Sequence, residues 1–184
     1  MLAPASIKNI AVFCASADGA NPLYRLAAEE LGRGLAIRKI GLIYGGAKVG
    51  LMQAVAEASL AQHGRVVGVI PEVLVDLEVA HQGLTELHIT STMHTRKALM
   101  GDLADAFIAL PGGFGTFEEL FEVLAWQTLK LHSKPILLLN IAHFYDHLLQ
   151  LLDHCVAEGM LKAQNRNTLL VAHTVEDLFS LLGR

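Results

Sequence analysis

Seven short runs of apolar residues recur along the chain, and longer segments of mixed polarity separate them. Within each run the apolar residues are continuous and do not alternate with polar ones. This pattern is typical of strands that are covered on both faces in a parallel sheet. The seven predicted strands are NIAVFCAS near Asn9, GLIYGG near Gly41, RVVGVIP near Arg65, TELHIT near Thr85, DAFIALPGG near Asp105, KPILLLN near Lys134 and NTLLVAH near Asn167.

The segments between the runs have the period of helices. PLYRLAAEELGRGLAIR, which starts at Pro22, carries apolar residues at spacings of three and four, and its proline suits the first turn of a helix. Alternating strands and helices predict an α/β fold: a single-domain, doubly wound (Rossmann-like) parallel sheet with helices on both faces. The 184 residues contain no linker or repeat, so we interpret 1–184 as one domain. Such sheets bind ligands beyond the carboxyl ends of their strands, at a switch point in strand order.

Composition and charge narrow the possible partners. The chain has 14 Lys and Arg against 18 Asp and Glu, a formal net charge of -4. This balance argues against a nucleic-acid-binding surface but allows a small anionic ligand. A hydrophobic fraction of 53% predicts apolar surface that a subunit interface covers, so we expect an oligomer. Without an apolar run of ~18 residues, the chain is expected to be a soluble, cytosolic protein that does not enter membranes.

Metal-binding patterns are weak. Cys14 and Cys155 lack C-x-x-C partners, so neither a zinc site nor a disulfide framework is indicated. His143 and His147 are four residues apart, but the segment between them lacks the glutamate of the H-E-x-x-H zinc motif. We therefore expect no metal site.

Three predicted strand ends carry small residues, in the segments CASADG, YGGAKVG and PGGFGT. Small residues let a ligand reach backbone N–H groups, and the start of the following helix favours an anion. YGGAKVG departs from the dinucleotide pattern G-x-G-x-x-G, because Ala47 stands at the middle glycine. It also lacks the Lys and Ser or Thr of a P-loop, since Leu51 and Met52 follow Gly50. For each segment, a simple tight turn remains an equally good interpretation.

Glu119 has both a structural and a chemical interpretation. Thr116 and Glu119 have the spacing of a capping box, which would explain both as the start of a helix running to about Leu129. A helix N-terminus also stabilises a carboxylate, so we expect Glu119 to stay ionised. In that state it suits a base or a cation stabiliser better than a proton donor.

Arg96 falls at an unusual position in the segment TSTMHTRKALMGDLADAF. If a helix begins near Thr92, Arg96 shares one face with Met93, Met100 and Leu103. A guanidinium within an apolar stripe needs a carboxylate, a phosphate or a ligand, because an unpaired buried charge is very costly. The alternative is an arginine whose head extends between the methionines to solvent.

Two motifs carry a resemblance to a known family. PGGFGTFEE resembles the P-G-G-x-G-T-x-x-E signature of the Lonely Guy family, the cytokinin riboside 5'-monophosphate phosphoribohydrolases, and MHTRK resembles its M-H-x-R-K. The similarity continues through VFCAS, YGGAKVGLM, GVIP, DAFIALPGG, KPILLLN and FYDHLL, and so covers most of the chain. It implies hydrolysis of the N-glycosidic bond of adenosine 5'-monophosphate or an N6-modified form. The products would be a free base and ribose 5-phosphate, without a metal or organic cofactor.

The resemblance also implies roles for individual residues. By motif match, Arg96 and Glu119 are the catalytic pair. The residues that would bind the phosphate or the rest of the nucleotide are Gly45, Gly46, Met93, Lys97, Pro111, Gly112, Gly113, Gly115 and Thr116. Glu119 would stabilise the positive charge of an oxocarbenium-like transition state. Whether it also activates water or attacks directly stays open, as does the choice between phosphate and leaving base for Arg96. The implied assembly is a homodimer, with the helix that carries Phe121 and Trp126 as its candidate interface.

Four positions depart from the family pattern. Ala15 and Ala47 replace glycines of VFCGS and YGGG, Gln53 replaces the last glycine of GLMG, and Thr95 replaces the Glu or Gln before Arg96. The two alanines would narrow the approach of a nucleotide, and Thr95 removes a polar arm. These changes bear on substrate choice more than on the chemistry.

Two other functions fit part of the pattern. A non-catalytic nucleotide or cofactor carrier would share the fold, as molybdenum-cofactor carriers do, but it needs no carboxylate at the sugar. A lysine decarboxylase, a label attached to this family, needs a lysine that forms a Schiff base with pyridoxal phosphate. No sequence context singles out one of the candidates Lys48, Lys97, Lys130 and Lys134.

Overall fold

The computed structural model describes residues 7–75 and 80–183. The strands are β1 (Asn9–Phe13), β2 (Gly41–Tyr44), β3 (Val66–Pro71), β4 (Glu86–Thr90), β5 (Ala106–Ala109), β6 (Ile136–Leu139) and β7 (Leu169–Ala172). The helices are α1 (Pro22–Ile37), α2 (Gly50–Leu60), α3 (Glu72–Val75), α4 (Met93–Leu103), α5 (Phe114–Thr128), α6 (Asp146–Ala157), α7 (Ala163–Arg166) and α8 (Val175–Leu181), and a short 3-10 turn spans Ile141–His143. Each of the seven apolar runs forms a strand, as predicted.

The seven strands form one parallel sheet in the order β4-β3-β2-β1-β5-β6-β7. β1 lies at the centre, with β2 on one side and β5 on the other. The chain therefore builds the sheet outward from β1 in one direction and then outward from β5 in the other. The prediction of a doubly wound sheet is confirmed, and its switch point lies between the carboxyl ends of β1 and β5.

Side chains of β1 alternate between two apolar layers, one on each face of the sheet. Ile10 and Val12 pack in the layer formed with α1, α2 and α8, whereas Ala11 and Phe13 pack in the layer formed with α4, α5 and α6. All four side chains are buried. A strand covered on both faces has no position that faces water, which explains why the apolar runs are continuous.

Backbone contacts join the loops at the carboxyl edge of the sheet. Residues 14–21 follow β1, and residues 110–113 follow β5 and lead into α5. The N–H of Ala15 donates to the carbonyl oxygen of Pro111 at 3.2 Å, so the two loops at the switch point are directly connected. Within the described ranges, no helix is both long enough and apolar enough to cross a membrane.

Candidate active site

A crevice of about 370 Å³ opens at the carboxyl edge of the sheet. Its walls are the end of β1 and the loop that follows it, the turn after β2, and the first two turns of α4 and α5. Met52 of α2 and Leu74 of α3 complete the lining. Small-molecule sites in proteins usually have volumes of about 300–1,000 Å³, so this crevice is large enough for a compact ligand. Its position at the switch point agrees with the general rule for doubly wound sheets.

Thr92 and Thr95 fix the start of α4. The N–H of Thr95 donates to the side-chain oxygen of Thr92, the N–H of Thr92 donates to the side-chain oxygen of Thr95, and both distances are 3.1 Å. This is a capping box with threonine at both ends. Thr95, which departs from the family pattern, therefore helps to fix the start of α4, and it directly precedes Arg96 in the sequence.

Arg96 is the fourth residue of α4 and is buried, with 8% of its surface exposed. Its Nε donates to the carbonyl oxygen of Val69 in β3 at 3.0 Å. Its Nη1 lies 3.2 Å from Oε1 of Glu119 on α5. The prediction that Arg96 lies within an apolar stripe and finds a carboxylate is confirmed, and the alternative of a solvent-exposed head is wrong.

The capping-box interpretation of Glu119 is wrong, because α5 begins earlier than that interpretation requires. The helix starts at Phe114, its N-cap is Gly113, and no side chain among the described residues caps it. Thr116 therefore lies in the first turn and Glu119 in the second. Glu119 is 8% exposed and lies opposite Arg96 instead of capping its own helix.

Burial controls the protonation of Glu119. Burial raises the pKa of the Glu119 carboxyl to about 7, and the positive charge of Arg96 opposes this shift without cancelling it. Although Oε1 lies 3.2 Å from Arg96, it accepts no well-aligned hydrogen bond from any described residue, so the contact is an ion pair only. The helix N-terminus therefore does not hold the pKa of Glu119 at its ordinary value, contrary to the reason given for its ionisation. That effect acts within the first turn of a helix, and Glu119 lies beyond it.

The glycines before and within α5 have different environments. A Cβ at Gly112 would lie 2.0 Å from Oγ1 of Thr116, so Gly112 makes room for that buried side chain. A Cβ at Gly113 or Gly115 would meet no described atom within 4 Å, and both residues line the crevice. The first helical bond of α5 runs from the N–H of Phe117 to the oxygen of Gly113 at 3.0 Å. The N–H groups of residues 114–116 thus have no partner within the helix.

Several residues of the predicted site lie in the crevice, and others do not. The crevice is lined by Gly45, Met93, Arg96, Gly113, Gly115, Thr116 and Glu119 from the predicted set. Gly46 instead forms a turn with a φ of 78°, and its carbonyl oxygen accepts from the N–H of His81. Pro111 and Gly112 border a separate small pocket beside the crevice. Lys97 does not line the crevice, and its ammonium pairs with Glu118 and Glu122.

Of the positions that depart from the family pattern, some line the crevice and others do not. Ala15 lines the crevice, as its position after β1 predicts. Ala47 is fully buried and forms an antiparallel bridge with Ala80, so it does not narrow the crevice. The side-chain amide of Gln53 donates to Glu57 at 3.0 Å.

Sequence reasoning did not single out every residue of the site. Cys14, Met52, Leu74 and Glu118 also line the crevice, and burial raises the pKa of the Cys14 thiol, which stays neutral. Val69 contributes as well, because its backbone oxygen accepts a hydrogen bond from Arg96. Small residues after the first predicted strand indicated the Cys14 loop, but a backbone acceptor on β3 leaves no signal in side-chain identity.

The chain is similar to a known protein family and to individual relatives within it. A family described as "Possible lysine decarboxylase" matches residues 52–182. A cytokinin riboside 5'-monophosphate phosphoribohydrolase of Rhodococcoides fascians is 49% identical over 170 residues, which are 92% of this chain and 86% of the relative. An enzyme of the same name from Arabidopsis thaliana is 45% identical over 175 residues, 95% of this chain and 82% of the relative.

Solved structures share the fold at lower identity. A molybdenum cofactor binding protein of Rippkaea orientalis superposes with a TM-score of 0.71 at 21% identity, covering 95% of this chain and 94% of that one. A molybdenum cofactor carrier protein of Chlamydomonas reinhardtii has a TM-score of 0.71 at 18% identity, with coverage of 95% and 94%. At these identities the likeness concerns the fold alone, whereas the relatives above match at more than 40% identity over nearly the whole chain. The chain therefore belongs to the Lonely Guy family, the cytokinin riboside 5'-monophosphate phosphoribohydrolases.

Proposed function

We propose that this protein hydrolyses the N-glycosidic bond of adenosine 5'-monophosphate and its N6-modified forms, releasing the free base and ribose 5-phosphate. The observation that carries the proposal is the buried pair of Arg96 and Glu119 in the same crevice as two open glycines. The pair supplies a carboxylate for the sugar, and the glycines supply backbone donors for the phosphate. The family relationship gives the substrate class.

The phosphate site in this proposal is the start of α5. The free N–H groups of residues 114–116 and the helix dipole both favour an anion there. Gly113 and Gly115 leave open space through which the phosphate oxygens reach these N–H groups. Thr116 lies on the same turn, and its side chain packs against Gly112.

The carboxylate of Glu119 then faces the ribose. As the bond between the anomeric carbon and the base breaks, its electron pair leaves with the base and positive charge develops on the sugar. Water attacks the anomeric carbon and Glu119 accepts one proton of that water. The departing base takes up one proton from solvent, and Glu119 releases its proton to solvent after the bond has broken, so that one water is consumed in each turnover. A general base works best when its pKa lies near the working pH, and the pKa of about 7 for Glu119 meets this condition.

Arg96 orients Glu119 in this scheme. The hydrogen bond to Val69 and the ion pair to Glu119 hold the guanidinium between β3 and α5. Its positive charge favours the ionised form of Glu119, which is the form that accepts a proton. Loss of Arg96 would remove the positive charge that most strongly favours the ionised form of this buried carboxyl.

The two alternative functions are less well supported. A carrier needs a binding crevice but no buried carboxylate with a pKa near neutrality. A pyridoxal-phosphate decarboxylase needs a lysine in the crevice, and no lysine in the described part of the chain lines it. The amines of Lys48, Lys97 and Lys134 instead contact Glu57, the Glu118–Glu122 pair and the oxygen of Gly101, respectively.

A homodimer is part of the proposal. Phe121 is 41% exposed on α5, and it borders an apolar groove of about 200 Å³ together with Leu124, Leu152 and Leu169. Trp126, the other interface candidate, is partly buried, and its ring lies next to Gly101 of its own chain. Exposed apolar surface next to such a groove suits a subunit interface, and Phe121 is its central contact.

The experiment that tests the proposal measures products. The wild-type protein is incubated with adenosine 5'-monophosphate and, separately, with isopentenyladenosine 5'-monophosphate, and free base and ribose 5-phosphate are quantified by chromatography. We expect equal amounts of both products from at least one of the two nucleotides. Tight binding of intact nucleotide without release of base would instead support the carrier function.

A further inference from the structure

Two adjacent residues of α4 reach α5 at different points. Arg96 meets Glu119, whereas the next residue, Lys97, pairs with Glu118 and Glu122, which flank Glu119 along the helix. The Nζ of Lys97 lies 3.0 Å from Oε1 of Glu122, and it also donates to Glu118. Lys97 is only 8% exposed, so its ammonium is withdrawn from solvent and held between two carboxylates.

These charges all act on Glu119. The groups that face it are Arg96 and Lys97 from α4, Glu118 and Glu122 from its own helix, and the neutral thiol of Cys14 at the end of β1. The carboxylates of Glu118 and Glu122 disfavour a negative charge on Glu119, and the two cations favour it. Three carboxyl groups thus share two cations. Arg96, Lys97 and Glu119 are buried, whereas the side chain of Glu118 is 53% exposed.

We propose that Lys97 is a positioning residue that keeps Glu119 able to ionise, by neutralising the two carboxylates on either side of it. This role replaces the phosphate-binding role that the family motif implies for Lys97. The geometry supports this role, because the ammonium is paired with two carboxylates and does not line the crevice. The inference rests on the proposed function of Glu119 as the base.

The direction of the effect is fixed by the signs of the charges. Without Lys97, only Arg96 opposes the effect of Glu118 and Glu122 on Glu119, and the pKa of Glu119 rises above its present value. Because the ionised form is the active one, kcat/KM falls at low pH as Glu119 becomes protonated. This part of the pH profile, the acid limb, moves to higher pH when Lys97 is lost. At high pH, Glu119 is ionised in both proteins and the rates converge.

The test compares pH profiles of kcat/KM for base release in wild type, Lys97→Gln and Lys97→Arg. We expect the acid limb of Lys97→Gln to move up by about one pH unit, the usual order of a neighbouring charge, and Lys97→Arg to keep the wild-type limb. Lys130→Gln, which removes an exposed amine, controls for net charge. An unchanged limb in Lys97→Gln overturns the inference, even when its rate is lower at every pH.

A second variant tests the same role if Lys97→Gln folds poorly. The triple variant Lys97→Gln/Glu118→Gln/Glu122→Gln removes the cation together with both carboxylates, and we expect its acid limb to return toward that of wild type. A limb that stays displaced in the triple variant contradicts the role. A larger KM for adenosine 5'-monophosphate with no change in the limb restores the phosphate-binding role. Absence of base release by wild type would instead refute the proposed function itself.

Discussion

The guanidinium of Arg96 occupies the space that a side chain at Gly45 would need. A Cβ at Gly45 would lie 2.4 Å from Nη2 of Arg96 and 2.9 Å from Sδ of Met52. Gly45 follows β2, and Arg96 lies on α4, so the turn after one strand shapes the position of an arginine from another part of the chain. The glycine at this position is therefore required by the arginine itself, in addition to any contact with a nucleotide.

Gly45→Ala should lower base release while the protein stays folded. The added methyl group displaces Arg96 from Glu119, and a displacement of about 1 Å at a catalytic group can lower the rate by about 100-fold. Gly101→Ala is a matched control, because its Cβ would meet only Trp126, at an ordinary contact distance of 3.4 Å. The rate of base release reports the activity of both variants, and circular-dichroism melting curves report whether they are folded. Full activity in Gly45→Ala would show that the position of Arg96 is not critical.

Gly115→Ala and Gly112→Ala should fail in different ways. A methyl group at Gly115 meets no described atom, so this variant should fold normally, but the methyl group intrudes on the proposed phosphate site and raises KM. A methyl group at Gly112 would collide with Thr116 and should lower the melting temperature. KM for adenosine 5'-monophosphate and thermal melts are measured side by side. An unchanged KM in Gly115→Ala would refute the phosphate site.

Ionisation of Glu119 should cost folding stability. Its pKa rises from 4.5 to about 7 on folding, so the folded state binds this proton more tightly than the unfolded state does. Stability from this group therefore falls as pH rises from about 4.5 to about 7, by an amount on the order of 3 kcal/mol. Glu119→Gln does not titrate there, so its stability relative to wild type should increase across the same window. Urea unfolding at several pH values measures this difference.

The control for that experiment is Glu30→Gln, which changes an exposed carboxylate on α1. Its stability relative to wild type should stay constant across the window. A constant difference for Glu119→Gln as well would mean that Glu119 titrates near its ordinary pKa, and the argument for a general base near neutrality would be lost.

Phe121→Glu should separate the proposed homodimer. A carboxylate in the apolar groove that Phe121 borders would be buried without a partner, which is strongly unfavourable at an interface. Sedimentation velocity should report a dimer for wild type and a monomer for this variant. Leu26→Glu, on the exposed face of α1, should leave the dimer intact. Two monomeric variants, or a monomeric wild type, would contradict the proposed assembly.

The fold was predictable because its signals are repetitive. A parallel strand between two helical layers must be apolar at every position, as Ile10 to Phe13 are, and seven such runs leave few alternatives. The burial of Arg96 was predictable for a similar reason. Helical spacing places it among Met93, Met100 and Leu103, and a charge there must be paired.

The site was predictable only in part, because helix starts and charge networks depend on three-dimensional neighbours. Thr116 and Glu119 have the spacing of a capping box, but α5 begins at Phe114 with Gly113 as its N-cap, two residues before Thr116. The pKa of Glu119 depends on burial, which the sequence around it does not specify. The partners of Lys97 lie 21 and 25 positions further along the chain, so only the packing of α4 against α5 reveals them.

The most direct test of the central claim is a single-turnover measurement of base release from adenosine 5'-monophosphate by wild type and Glu119→Gln, with nucleotide binding measured on the same samples. The account predicts that Glu119→Gln binds the nucleotide but releases base at least about 100-fold more slowly, as expected when a general base is removed. Base release at the wild-type rate by a folded Glu119→Gln protein would contradict it.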